Sequence, residues 1–114
     1  MRACCCKRSI HCGKVSPQAL GFLARGKHLE AIQQNGLKVL KGDSEFVAHP
    51  ALATDNPSEI GVADYVVLAT KSYDLEATIQ QLSPCIDANT VLLPLLNGVD
   101  SKERIEQILP NNLV

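Results

Sequence analysis

Residues 63–74 read ADYVVLATKSYD, and the way this stretch divides decides the fold. Residues 65–70 run through β-branched and aliphatic side chains without the polar interruptions of a one-sided strand, so they predict a buried strand. The polarity then changes abruptly at Lys71-Ser72-Tyr73-Asp74, after which Leu75, Ile79 and Leu82 recur on one face of a predicted helix. Open α/β sheets hold their ligands outside the carboxyl ends of such strands. Lys71 is expected at that mouth, with Tyr73 and Asp74 as helix-start residues.

The same grammar repeats at residues 90–96, TVLLPLL, an apolar run that ends in Asn97-Gly98. Ile105, Ile108 and Leu109 then mark another helical face, and Pro84 and Pro110 close the two helices. Two strands thus deliver polar tips to one edge. Taken singly, Asn-Gly is also a common turn dipeptide and Lys71 an ordinary helix-start lysine.

Towards the N-terminus, Asp55-Asn56-Pro57-Ser58-Glu59 supplies a cap, a first-turn proline and a favourable acid for a short helix reaching about Gly61. Residues 37–40 and 46–48 predict a peripheral hairpin around Gly42-Asp43. Residues 20–24 predict a short strand with Arg25-Gly26 at its exit. Leu29 and Ile32 then mark the inner face of a helix that Asn35-Gly36 stops. Residues 111–114 lead into a further strand.

Size and composition narrow the class. With 114 residues, 46% hydrophobic content, net charge −1 and no Trp, the chain allows one domain with an aliphatic core. No basic stripe points to nucleic acid, and no apolar run approaches the about 20 residues that span a bilayer. A cytoplasmic location is expected. Cys4, Cys5 and Cys6 are adjacent, Cys12 follows His11, and Cys85 lies far away. Adjacent cysteines pair poorly, and this odd count does not resemble a secreted disulfide framework. Zinc on Cys4, Cys6, His11 and Cys12 departs from the usual ligand spacing, so no metal site is assigned and reduced thiols are expected. Residues 1–19 show neither strand nor helix period, match an Arg-rich presequence only in part, and are expected to be a disordered Cys-rich leader.

Three phrases carry a family resemblance: FLARGKHLEAIQQNGLKV at 22–39, HPALATDNPSEIGVADYVVLATKSYDLEAT at 49–78, and VLLPLLNGVD at 91–100. In this order and spacing they closely resemble the N-terminal half of ketopantoate reductases. The resemblance implies an incomplete Rossmann-like doubly wound parallel α/β sheet, with residues 20–114 as a partial NADP-binding domain. It also implies NADPH-dependent reduction of 2-dehydropantoate to (R)-pantoate in pantothenate synthesis. By the same resemblance Arg25 meets the 2′-phosphate of NADPH, Lys27 adds a second charge there, and Lys71 lies beside the cofactor. Asn97 and Gly98 lie near the nicotinamide ribose, and Asn97 near the substrate as well.

Two departures limit what is implied. The family's first strand and its G-x-G-x-x-G turn, which cradles the pyrophosphate, have no counterpart, since Gly13 and Gly21 stand alone. That loss would leave neighbouring sheet edges bare and open to self-association. The family's proton-donating lysine and a substrate-binding glutamate belong to a C-terminal helical domain, so no catalytic residue is assigned in this chain. The alternatives are a non-catalytic fragment, a partner-dependent binding module, or a reductase of a related 2-oxo acid.

Overall fold

This computed structural model describes the backbone of residues 3–6, 10–11 and 14–15, and residues 20–114 with their side chains. The strands are β1 (Ala3–Cys6), β2 (Ile10–His11), β3 (Lys14–Val15), β4 (Leu20–Leu23), β5 (Leu37–Lys41), β6 (Ser44–Ala48), β7 (Leu52–Thr54), β8 (Tyr65–Leu68) and β9 (Val91–Pro94). Helices α1 (Gly26–Asn35), α2 (Leu75–Gln81) and α3 (Ser101–Ile108) follow β4, β8 and β9. Each expected strand–turn–helix unit is therefore present, with strands ending one or two residues early. A single 3-10 turn, Pro57–Glu59, answers to the expected short helix, and the side chain of its cap Asn56 accepts the Ser58 amide.

Five strands form one sheet in the order β7-β4-β1-β8-β9. β4 pairs with β7 and β8 with β9 in parallel, whereas β1 runs antiparallel to both β4 and β8. The parallel Rossmann-like expectation thus holds for four strands. At the centre β1, from within the stretch expected to be a leader, runs antiparallel between β4 and β8. The edges of β4 and β8 expected to be bare are each paired along four residues. The physical reason is that a slot between two strands offers unpaired N–H and C=O groups to any extended backbone. An antiparallel entry needs only a turn connection, while a parallel one needs a crossover of a dozen or more residues, usually helical. The sequence between β1 and β4 has no helical period.

Register sets the edge that matters. Ala3 pairs with both Leu23 and Leu68, and Leu68 pairs with Pro94, so β4, β8 and β9 finish level with one another. One face of the sheet is dry. Leu23, Val66, Leu68 and Leu92 join Leu75 and Ile79 of α2, Leu82 that caps it, Ile105 of α3, and Ile60, Ala63 and Cys85 in one core. The other face is not: Tyr65 and Leu93 are exposed, and Val67 is only half-buried. Among the described residues α1 contacts β7 at the margin of the sheet. The two-sided burial expected of residues 65–70 is therefore one-sided.

Polar groups secure the loops behind the core. The buried Thr90 hydroxyl donates to the Ala63 carbonyl at 2.7 Å and accepts the Asp87 amide at 3.0 Å. Gly36 ends α1 with φ 76°, its amide donating to the Ile32 carbonyl, and a Cβ there would lie 2.8 Å from the Ala48 carbonyl oxygen. The β5–β6 hairpin forms a separate two-stranded sheet, with Val39, Leu40, Phe46 and Val47 exposed.

α2 and α3 are joined by one ion pair. Arg104 donates from Nε and Nη2 to the two Glu76 carboxylate oxygens at 2.7 and 2.8 Å. These hydrogen bonds hold the Glu76 carboxyl below its ordinary value of 4.5. A lowered carboxylate pKa contributes stability that is complete above the unfolded value and lost as pH falls through the folded one.

Two outcomes are expected in urea unfolding of the chain. Leu92→Ala, on the dry face, lowers stability by about 2–5 kcal/mol, while Leu93→Ala beside it costs less than about 1 kcal/mol; equal costs would contradict the one-sided sheet. Between pH 6 and pH 3, Glu76→Gln flattens the acid loss of stability relative to the parent chain, and identical slopes would remove the ion pair from the account.

Candidate functional site

Beyond Leu68 and Pro94 the two parallel strands continue in step, the Leu95 amide donating to the Leu68 carbonyl at 2.8 Å. Ala69, Thr70, Lys71 and Ser72 then face Leu95, Leu96 and Asn97 across a pocket of about 490 Å³. Lys71 and Asn97 therefore share one rim, as expected. Lys71 is exposed with extended backbone, and its carbonyl accepts the Asp74 amide of the 3-10 turn Ser72–Asp74 that leads into α2. No carboxylate pairs with it among the described residues.

Gly98 follows Asn97 with φ 137°, where a Cβ would meet Asp100 Oδ1 at 3.2 Å and Ser101 Oγ at 3.5 Å. Only glycine turns the chain there without strain. α3 begins at Ser101, three residues past Gly98.

Arg25 and Lys27 stand on the same edge, two strands away. Because β1 separates β4 from β8, the strand axes are about 10 Å apart, twice the ordinary spacing. Arg25 caps α1 with extended backbone, and its guanidinium donates to Gln81 at the end of α2. That partner is a neutral amide, and no carboxylate pairs with Arg25 among the described residues. The first turn of α1 holds no acid, so Arg25, Lys27 and the positive end of the helix dipole add up at one spot. Such an arrangement favours an anionic group.

Two hydroxyls at the β8–β9 mouth are buried without a partner among the described residues, Thr70 Oγ1 and Ser101 Oγ. Thr70 is 7% exposed and lines the pocket. An orphaned buried hydroxyl costs about 1–3 kcal/mol, so this pocket floor gains from a polar atom placed over it.

Arg104 also reaches this rim. Its Nη1 donates to Ser72 Oγ and its Nη2 to the Ser72 carbonyl, both at 2.8 Å. Sequence patterns single out neither Thr70, Ser72 nor Arg104. For Arg104 a signal exists: a cation near the N-terminus of a helix opposes the dipole and needs a tertiary partner to offset it.

Among the described residues no cluster of His, Cys, Asp or Glu could hold a metal ion, and the buried Cys85 thiol donates to the Pro57 carbonyl at 3.1 Å. The zinc alternative, on Cys4, Cys6, His11 and Cys12, rests on side chains outside the described residues. No described helix is long and apolar enough to cross a membrane.

The family model "Ketopantoate reductase PanE/ApbA" matches residues 14–114. The 2-dehydropantoate 2-reductase of Mesorhizobium japonicum is 41% identical over 80 residues, covering 70% of this chain and 24% of that protein. That of Lactococcus lactis is 34% identical over 89 residues, covering 75% and 28%. The crystal structure of 2-dehydropantoate 2-reductase from Porphyromonas gingivalis W83 superposes with a TM-score of 0.73 at 46% identity, over 79% of this chain and 32% of that one. The enzyme from Geobacter metallireducens GS-15 gives 0.68 at 30% identity, over 77% and 29%. The chain thus spans about a quarter to a third of the length of these relatives. By the extent of the family match, this chain belongs to the ketopantoate reductase PanE/ApbA family.

Proposed function

We propose that this chain supplies part of the NADPH-binding half of a reductase acting on 2-dehydropantoate. The observation that carries the proposal is the shared rim: Lys71 and Asn97, from adjacent parallel strands, line one pocket at the carboxyl edge of the sheet. The residues present fit the cofactor at two places. At the β8–β9 mouth, the Thr70 hydroxyl, unpartnered among the described residues, the Lys71 ammonium and the Asn97 carboxamide suit a ribose and a small oxo acid. At the start of α1, Arg25 and Lys27 suit a phosphate monoester such as the 2′-phosphate.

NADPH, when bound, would supply the two reducing electrons. The roles left to the chain are binding and orientation. Arg25 would select the phosphorylated nucleotide through its planar donor fork, and Lys27 would raise the local potential. Lys71 would neutralise phosphate or carboxylate charge at close range, and Asn97 would hold both a ribose hydroxyl and the substrate. Gly98 would let the backbone pass close to the ligand. No residue here is assigned to protonate the ketone, and no glycine-rich turn in the sequence is available for the pyrophosphate.

A second possibility, a partner-dependent binding module, draws support from the hairpin, where Val39, Leu40, Phe46 and Val47 remain exposed on a two-stranded sheet. It predicts weak hydrogen-exchange protection of the Val66, Val67 and Leu68 amides in the isolated chain; strong protection counts against it.

Titration of the 114-residue chain with NADPH and NADH, followed by nicotinamide fluorescence, tests the main proposal. NADPH is expected to bind more tightly, and Arg25→Ala to erase about tenfold or more of that preference. Equal affinity for both nucleotides, or no binding of either, would overturn it.

A further inference from the structure

Arg104 makes more contacts than the joining of two helices requires. Its guanidinium is bidentate on Glu76 of α2, and the same group spends two further N–H bonds on Ser72, one on the hydroxyl and one on the carbonyl. Ser72 is the residue after Lys71 and itself lines the pocket. Arg104 lies one turn into α3, the helix that follows Asn97 and Gly98, and its amide bonds back to the Asp100 carbonyl. Asp100 Oδ2 also approaches Arg104 Nη1 at 3.9 Å. One side chain, about a quarter exposed, thus connects the turn after β8 to the turn after β9.

We infer that Arg104 is a positioning residue, a clasp that fixes the Lys71-Ser72 turn relative to the Asn97-Gly98 turn and so presets the rim for a nucleotide. This rests on the proposed nucleotide site. The geometry explains the choice of side chain. Four hydrogen bonds to a carboxylate, a hydroxyl and a carbonyl match the fixed donor fork of a guanidinium, whereas an ammonium on a flexible stem cannot span them together. It also explains a cation placed against the α3 dipole, since the Glu76 carboxylate near the start of α2 offsets it. Ser72 is held at backbone and side chain alike, which restricts the residue on either side of it.

The test compares the 114-residue chain with Arg104→Gln, Arg104→Lys, Lys71→Ala and the Arg104→Gln/Lys71→Ala pair. Amide exchange of Asp74 and Leu75, both bonded within the clasped turn, is measured against Val66 and Leu68 in the core. NADPH affinity is measured in parallel. A clasp predicts roughly three- to tenfold faster exchange at Asp74 and Leu75 with the core amides unchanged, and no rescue by lysine. It also predicts NADPH affinity lowered by a similar factor, with the double variant no weaker than Lys71→Ala alone. Uniform acceleration of all four amides, unchanged exchange, full rescue by lysine, or additive losses in the double variant would each overturn it. Should the parent chain bind no NADPH, the nucleotide site falls, and the exchange and lysine-rescue results alone still decide whether Arg104 fixes the turn.

Discussion

The parallel pairing of β8 with β9 is the constraint on which the site depends. Four register pairs, Tyr65 with Val91 through Leu68 with Pro94, make the two strands end together. Whatever follows them must emerge on the same side. Parallel neighbours cannot be joined by a tight turn, so the chain returns through α2 and the loop held by Thr90. That return buries Leu75, Ile79 and Leu82 against Val66, Leu68 and Leu92, and the same burial fixes where Lys71 and Asn97 stand. Core and rim are one arrangement seen from two sides.

The centre of the sheet shows how permissive backbone pairing is. The slot between β4 and β8 is filled by a strand of reversed direction, yet β4 and β8 remain level because both pair with the same residues of β1. Backbone groups specify spacing and register, while strand direction is left to the connection. Arg25 consequently keeps its place on the edge that carries Lys71, about two strand spacings away. The phosphate cradle of a glycine-rich turn does not follow from filling the slot, because it requires particular residues after the strand.

Much of this is legible in the sequence wherever periodicity and punctuation agree. The helical face Leu75, Ile79 and Leu82, the stop at Gly36, the cap at Asn56 and the common rim of Lys71 and Asn97 all follow from short-range patterns that burial then satisfies. Three features are not legible, each for its own reason. β1 draws its pairing from edges supplied by distant residues, and nothing in Ala3–Cys6 itself signals a strand. The one-sided burial of β8 depends on what covers the second face, which the unbroken apolar run of residues 65–70 cannot reveal. Arg104 finds Glu76 and Ser72 across 28 and 32 residues, beyond any local pattern, although its position against the helix dipole hints at a partner.

The central claim is that the tips of β8 and β9 form one nucleotide-binding rim with Arg25 and Lys27 at its far end. It is tested most directly by following the backbone amide resonances of the 114-residue chain during titration with NADPH. The account predicts shifts concentrated at residues 70–72, 97–98 and 25–27, with the β5–β6 hairpin unmoved. Shifts centred instead on Asp64, Asp87 and Val91, which line a pocket past the opposite ends of the same two strands, would contradict it.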